Sequence, residues 1–166
     1  MTGRSTPNAS GLPGVGSSAL PDLLLRSDLA NASWFVDASG ELEVPLDGDG
    51  LPIHLASSAT AWCDFDADGD LDLAVADGAG GRGVFIYENA PGAGATRFRI
   101  VFPDDAASPS WQFNVSDLVW IDIDNDGDED LMATTFSDQT SHGSGYVFVN
   151  DGLRMAGRFV DPLLML

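Results

Sequence analysis

Two stretches of the chain, W-C-D-F-D-A-D-G-D-L-D-L from Trp62 to Leu73 and W-I-D-I-D-N-D-G-D-E-D-L from Trp120 to Leu131, are identical at eight of twelve positions and lie 58 residues apart. The agreement is not confined to the acids, because Trp62 matches Trp120 and Leu73 matches Leu131. Self-similarity at such a period means tandem structural units, each burying an apolar face against its neighbour. The repeat continues downstream, where V-F-I-Y-E-N (Val84 to Asn89) corresponds to G-Y-V-F-V-N (Gly145 to Asn150). Nine residues after each Asn stands a Phe preceded by Arg, in Arg97-Phe98 and Arg158-Phe159. Near the N-terminus L-L-L-R (Leu23 to Arg26) is followed, nine residues after Arg26, by Phe35, which repeats the tail of a unit without its acidic loop. The three Phe landmarks are spaced by 63 and 61 residues. The chain therefore divides into a half unit at 21–40, unit one at 59–103 and unit two at 115–162. Residues 1–20, rich in Gly, Ser and Pro, form a flexible arm ahead of them.

Inside a unit the signals are those of short strands. Thr60 to Phe65, Leu71 to Ala76, Val84 to Glu88 and Arg97 to Phe102 are runs of β-branched, aromatic and aliphatic residues bounded by Gly, Pro and Asp. A helical period is not sustained anywhere, although Ala19 to Leu29 has the composition of a short helix. Four strands per unit in tandem make an all-β chain of β-propeller-type four-stranded blades, about two and a half of them. Propellers close with four to eight blades, so the ring is partial, is part of a longer one, or is completed by association. A half blade leaves apolar edges that favour a partner or a second copy.

The acidic turns carry the chemistry. Together they supply 11 of the 26 acids in a chain whose net charge is −19. Like charges at this density repel and raise one another's pKa unless a cation sits among them. The pattern D-x-D-x-D-G-x-x-D places Asp64, Asp66, Asp68 and Asp72 in one turn and Asp122, Asp124, Asp126 and Asp130 in its copy. Calcium takes six to eight oxygen ligands in a flexible cage. Gly69 and Gly127 let the backbone reverse, so that the carbonyls of Asp70 and Asp128 turn inward while their side chains face solvent. Magnesium keeps more of its waters, and zinc asks for His or Cys that these loops lack. An EF-hand needs Glu at position 12, where this chain has Val75 and Ala133. The expected cofactor is Ca2+, at two sites. L-D-G-D-G (Leu46 to Gly50) is too short for a third and reads as a plain turn.

The W-x-D-x-D-x-D-G-D-x-D-L core, the apolar strand ending in Asn and the terminal R-F resemble FG-GAP/VCBS repeats, the calcium-binding blades of integrin-α-like β-propellers. The resemblance runs from about Leu23 to Asp161. It implies a loop in the hairpin joining the first two strands of a blade, held rigid by calcium bound to the residues named above. It also implies an extracellular or cell-surface setting and a role in adhesion, recognition or assembly.

Composition narrows the partners. A chain this acidic has no positive face for nucleic acid, and no apolar run reaches membrane-spanning length. The N-terminal residues lack the apolar core of a signal peptide. A protein partner or self-association is expected, with a glycan as the alternative. Nothing assembles a catalytic centre, since His54 and His142 stand alone and no nucleophile elbow or phosphate loop occurs, so the chain is expected not to be an enzyme. Cys63, the single cysteine, is expected to be a buried structural thiol. Trp62 and Trp120 are expected to pack between blades, and Trp111 is the candidate for an exposed contact. The sequons at Asn8, Asn31 and Asn114 matter only in a glycosylating pathway.

Overall fold

The computed structural model describes residues 23–28, 33–78, 81–92, 96–102, 114–135, 145–152 and 155–158. The arm at 1–20, Asn8, Asn31, Trp111, His142 and Phe159 lie outside the described residues. Ten strands occur in chain order: β1 (Leu25–Asp28), β2 (Ser33–Asp37), β3 (Ser57–Cys63), β4 (Asp72–Asp77), β5 (Gly83–Asn89), β6 (Phe98–Phe102), β7 (Val115–Ile121), β8 (Asp130–Thr135), β9 (Gly145–Asn150) and β10 (Met155–Arg158). They form two four-stranded antiparallel meanders, β3-β4-β5-β6 and β7-β8-β9-β10, and a two-stranded hairpin, β1-β2. These are propeller-type blades in an open array. The only helical element among the described residues is one 3-10 turn, Ser39–Glu41. No helix there is long and apolar enough to cross a membrane.

The strand period of two gives each blade two different faces. In blade one Trp62 pairs with Leu73 and Leu73 with Tyr87, so these share one face. Ala61 pairs with Ala74 and Ala74 with Ile86 on the other. Blade two repeats the register: Trp120 pairs with Leu131, and Leu131 with Phe148. The Trp-bearing front of blade two packs on the Ala-bearing rear of blade one, and one core joins Ala74, Ala76, Val84, Ile86 and Phe102 to Val115, Leu118, Leu131, Ala133 and Phe148. Small residues on one side let the rings of the other approach. Phe102 meets Phe148 edge-on at 5.4 Å, and Phe65 stacks flat on Trp120 at 5.9 Å with 5° between the planes. Each large side chain buried this way contributes about 1.5–3 kcal/mol. Ser58 Oγ donates to the Val115 carbonyl at 2.6 Å, a polar tie between β3 and β7, the first strands of the two blades.

The front of blade one has a different cover. Leu73, Val75, Phe85, Tyr87 and Phe98 form a second core with Ile53 and Leu55, and Leu24, Leu42 and Ile100 pack against it. The segment carrying Leu42 lies along the outer strand: Leu42 bridges Phe98, Glu43 N–H donates to the Phe98 carbonyl and Arg97 N–H to the Glu41 carbonyl. That pairing closes an edge which would otherwise offer free N–H and C=O groups to other chains.

Three expectations change. Leu25–Asp28 is a strand paired with Ser33–Asp37, not the end of a helix; strand pairing wins over helix-forming composition. The repeat holds through the third strand and drifts at the fourth. Asn89 pairs with Phe98, but Asn150 pairs with Met155, so β10 ends before the Phe159 landmark. Phe35 is not a counterpart of buried Phe98 either, since it is 65% exposed.

Candidate metal centres

Each acidic turn joins the first two strands of its blade, β3 to β4 and β7 to β8. The loops fold through their own carboxylates. Asp64 Oδ2 accepts the N–H of Gly69 at 3.0 Å, and Asp68 Oδ1 accepts that of Asp70 at 2.9 Å. In the copy, Asp122 Oδ2 accepts Gly127 N–H at 3.2 Å and Asp126 Oδ1 accepts Asp128 N–H at 3.0 Å. Position 4 is left-handed in both loops, at Ala67 (φ 58°) and Asn125 (φ 62°), and the glycines at position 6 have φ of 96° and 100°. Position 4 thus costs strain that Asn tolerates better than Ala.

The last acid of each loop is its buried anchor. Asp72 and Asp130 have no solvent exposure. Asp72 Oδ2 accepts Phe65 N–H at 3.2 Å and its Oδ1 accepts Asn89 N–H at 2.8 Å. Asp130 does the same with Ile123 N–H at 2.9 Å and Asn150 N–H at 2.8 Å. Burial pushes the Asp72 carboxyl up to about 6; the two N–H donors oppose the shift, and the charges of Asp66 and Asp68 add to it. Asp124 is also raised, by lost solvation and then by the charges of Asp126 and Asp130.

Of the ten sequence-derived site residues, Asp64, Asp66 and Asp72 converge in one loop and Asp122, Asp124 and Asp130 in the other, the oxygens of each trio lying within 4.8 Å of one another. Asp68 and Asp126 stand outside the trios and fasten the turn. Asp70 and Asp128 are half-buried at position 7. A hard cation fits this donor set, which is all oxygen. One atom argues for it directly: Asp64 Oδ1 is buried with no hydrogen-bond partner, a state that costs a carboxylate free energy unless something positive meets it.

The sequence had marked Asn89 and Asn150 only as landmarks, yet each positions an anchor. Asn89 Nδ2 donates to the Leu71 carbonyl at 2.9 Å and its Oδ1 accepts Arg97 Nε at 2.6 Å. Asn150 Nδ2 donates to Glu129 at 3.3 Å and also to Phe65 of the neighbouring blade at 2.7 Å. Their signal was their recurrence at the end of the third strand. Cys63 is half-buried rather than buried. Its thiol is pushed up to about 11 by burial and then by the charges of Glu129, Asp64 and Asp72, which leaves it a poor nucleophile. At Leu46 to Gly50, Asp47 Oδ1 accepts the N–H groups of Asp49 and Leu51, so the segment is a turn.

Residues 64–133, from the first acid of loop one through the third strand-forming residue after loop two, match a family model of the FG-GAP-like repeat. This stretch is similar to an FG-GAP-like repeat. The matched segment contains both acidic loops and part of the interface between the blades. No curated protein and no solved structure matches the chain.

Proposed function

We propose that the chain is a calcium-binding, non-catalytic interaction module, in which Ca2+ fixes the β3–β4 and β7–β8 hairpins of its FG-GAP-like blades. One observation carries the reading: two trios of carboxylates converge in the same repeat register, and one holds a buried oxygen without a partner. Asp64, Asp66 and Asp72 would hold one ion, with the Asp68 and Asp70 oxygens beside them; Asp122, Asp124 and Asp130 would hold the other. A bound cation supplies positive charge to oxygens that otherwise repel. The anchors Asp72 and Asp130 carry that charge into the third strand through Asn89 and Asn150, so the hairpin and the blade stiffen together. An extracellular setting, where millimolar-range calcium sites fill, and assembly with a protein partner complete the proposal.

Native mass spectrometry of chelator-stripped protein tests it. Two calcium ions per chain are expected on titration, with Asp64→Asn leaving one and Asp64→Asn with Asp122→Asn leaving none. Retention of the apo mass at every calcium concentration overturns the reading.

A further inference from the structure

We infer that the chain assembles head to tail with a second copy of itself, the loop tip around Ile123 of one copy seating in the cavity beside Trp62 of the next. This rests on the reading of the chain as an interaction module and names its partner. The contact is one the molecule already makes between its own blades. There, Phe65 at position 2 of the first acidic loop stacks on Trp120, and its carbonyl accepts a hydrogen bond from Asn150 Nδ2. The repeat counterpart of Phe65 in blade two is Ile123, and the counterparts of Trp120 and Asn150 in blade one are Trp62 and Asn89. These three residues lie at opposite ends of the array, each lacking half of the contact.

At the rear end Ile123 is 41% exposed, and Val119 and Ile121, where blade one has Ala61 and Cys63, are exposed with it. At the front end Trp62 is 45% exposed. It borders a cavity of about 410 Å3 whose walls include Leu24, Leu71, Asn89 and Phe98. Among the described residues Asn89 Nδ2 makes one hydrogen bond, to Leu71, where Asn150 Nδ2 makes two. Its second N–H thus matches a position-2 carbonyl from a preceding loop. No described segment of the chain supplies such a loop, but the second copy's Ile123 does. Charge agrees in sign: Arg26, Arg97 and Glu41 line the same cavity, and with Arg26 paired to Glu41 at 3.6 Å one net positive charge remains there, in a chain with only 7 basic residues, to face an incoming loop that carries Asp122, Asp124, Asp126 and Asp128. The larger residues at the rear of blade two meet a recess at the front, not a filled surface. An interface between two different faces is heterologous, and continues into a ring or an open row.

Sedimentation of the calcium-loaded full chain across a concentration series tests this. The expected result is a mass rising above the monomer's 17.4 kDa. Trp62→Ser and Ile123→Ser should each return the mass to monomer, and an equimolar mixture should give twice the monomer mass and stop, because one intact front then meets one intact rear. Circular dichroism and calcium stoichiometry check that the variants fold; Leu71→Ser, on the same cavity wall, replaces Trp62→Ser if that variant does not. A wild-type chain that stays monomeric while taking up two calcium ions overturns the assembly and leaves the metal reading standing. Assembly in a chain that ignores calcium does the reverse. Single variants that still associate, a mixture that stays monomeric, or a monomer that binds a glycan through Trp62 would each overturn the inference.

Discussion

Ala67 and Asn125 occupy the same left-handed position in two loops whose position-6 and position-7 N–H groups bond alike, and only one of them suits it. A left-handed residue with a Cβ costs roughly 1–2 kcal/mol, and Asn recovers part of that through local bonding. Ala67→Asn should therefore raise stability by about 1 kcal/mol, and Asn125→Ala should lower it by a similar amount, both read as a shift in denaturant midpoint at unchanged slope. Asp72 sets a pH dependence whose sign changes with the metal. Its carboxyl titrates at about 6 in the fold against an ordinary value of 3.8. Between these values the metal-free folded state binds more protons than the unfolded one, so its stability falls as pH rises from about 4 to about 6. Calcium requires the carboxylate, so the stabilisation it gives should grow as pH rises through the same window. Melting temperatures against pH, with chelator and with calcium, should give curves of opposite slope. The ligand residues were legible in the sequence because their spacing is local. The role of Asp72 as a buried anchor was not, since burial comes from Asn89 and the strand that carries it.

Among the elements, the first strands of the two blades, β3 and β7, are joined with little tolerance. A Cβ on Gly78 would clash with Ser58, whose hydroxyl makes the tie to Val115. Gly78→Ala should cost about 1–3 kcal/mol, the range for overpacking, and a circular dichroism melt would show it as a lowered midpoint. Asn150→Ala leaves the Phe65 and Glu129 carbonyls without a donor, at about 1–3 kcal/mol for each group that stays buried. Because Phe65 belongs to the other blade's loop, this change in blade two should also weaken calcium at the Asp64 site, which calorimetry of the variant would read. The first three strands of each unit could be located from alternation and turn residues. The fourth could be located in unit one, where Arg97 to Phe102 covers β6, but not in unit two: β10 starts five residues after Asn150, whereas β6 starts nine after Asn89. Arg158 pairs with Val147 inside β10, whereas Arg97 precedes β6, so the Arg-Phe match carries no shared register.

For the whole molecule, the repeat period made the blade architecture readable, while the cover on the front of blade one was not. Ile53 and Leu55 come from a stretch with no repeat and no strand pattern, so only packing reveals that they seal a face. Calcium should act on the array as a unit. A ligand that binds only the folded state stabilises by about 2.7 kcal/mol per site at a concentration a hundredfold above its Kd. Stripped protein should accordingly melt well below the loaded form in differential scanning calorimetry, and Asp64→Asn should remove about half of the difference. The unequal faces of the blades have a consequence for how such a chain grows. Every unit carries a ring-bearing side and its opposite, so a duplicated stretch of about 58 residues arrives already fitted to both neighbours. Lengthening the array by gene duplication then requires no newly invented surface, only that successive units stay in step.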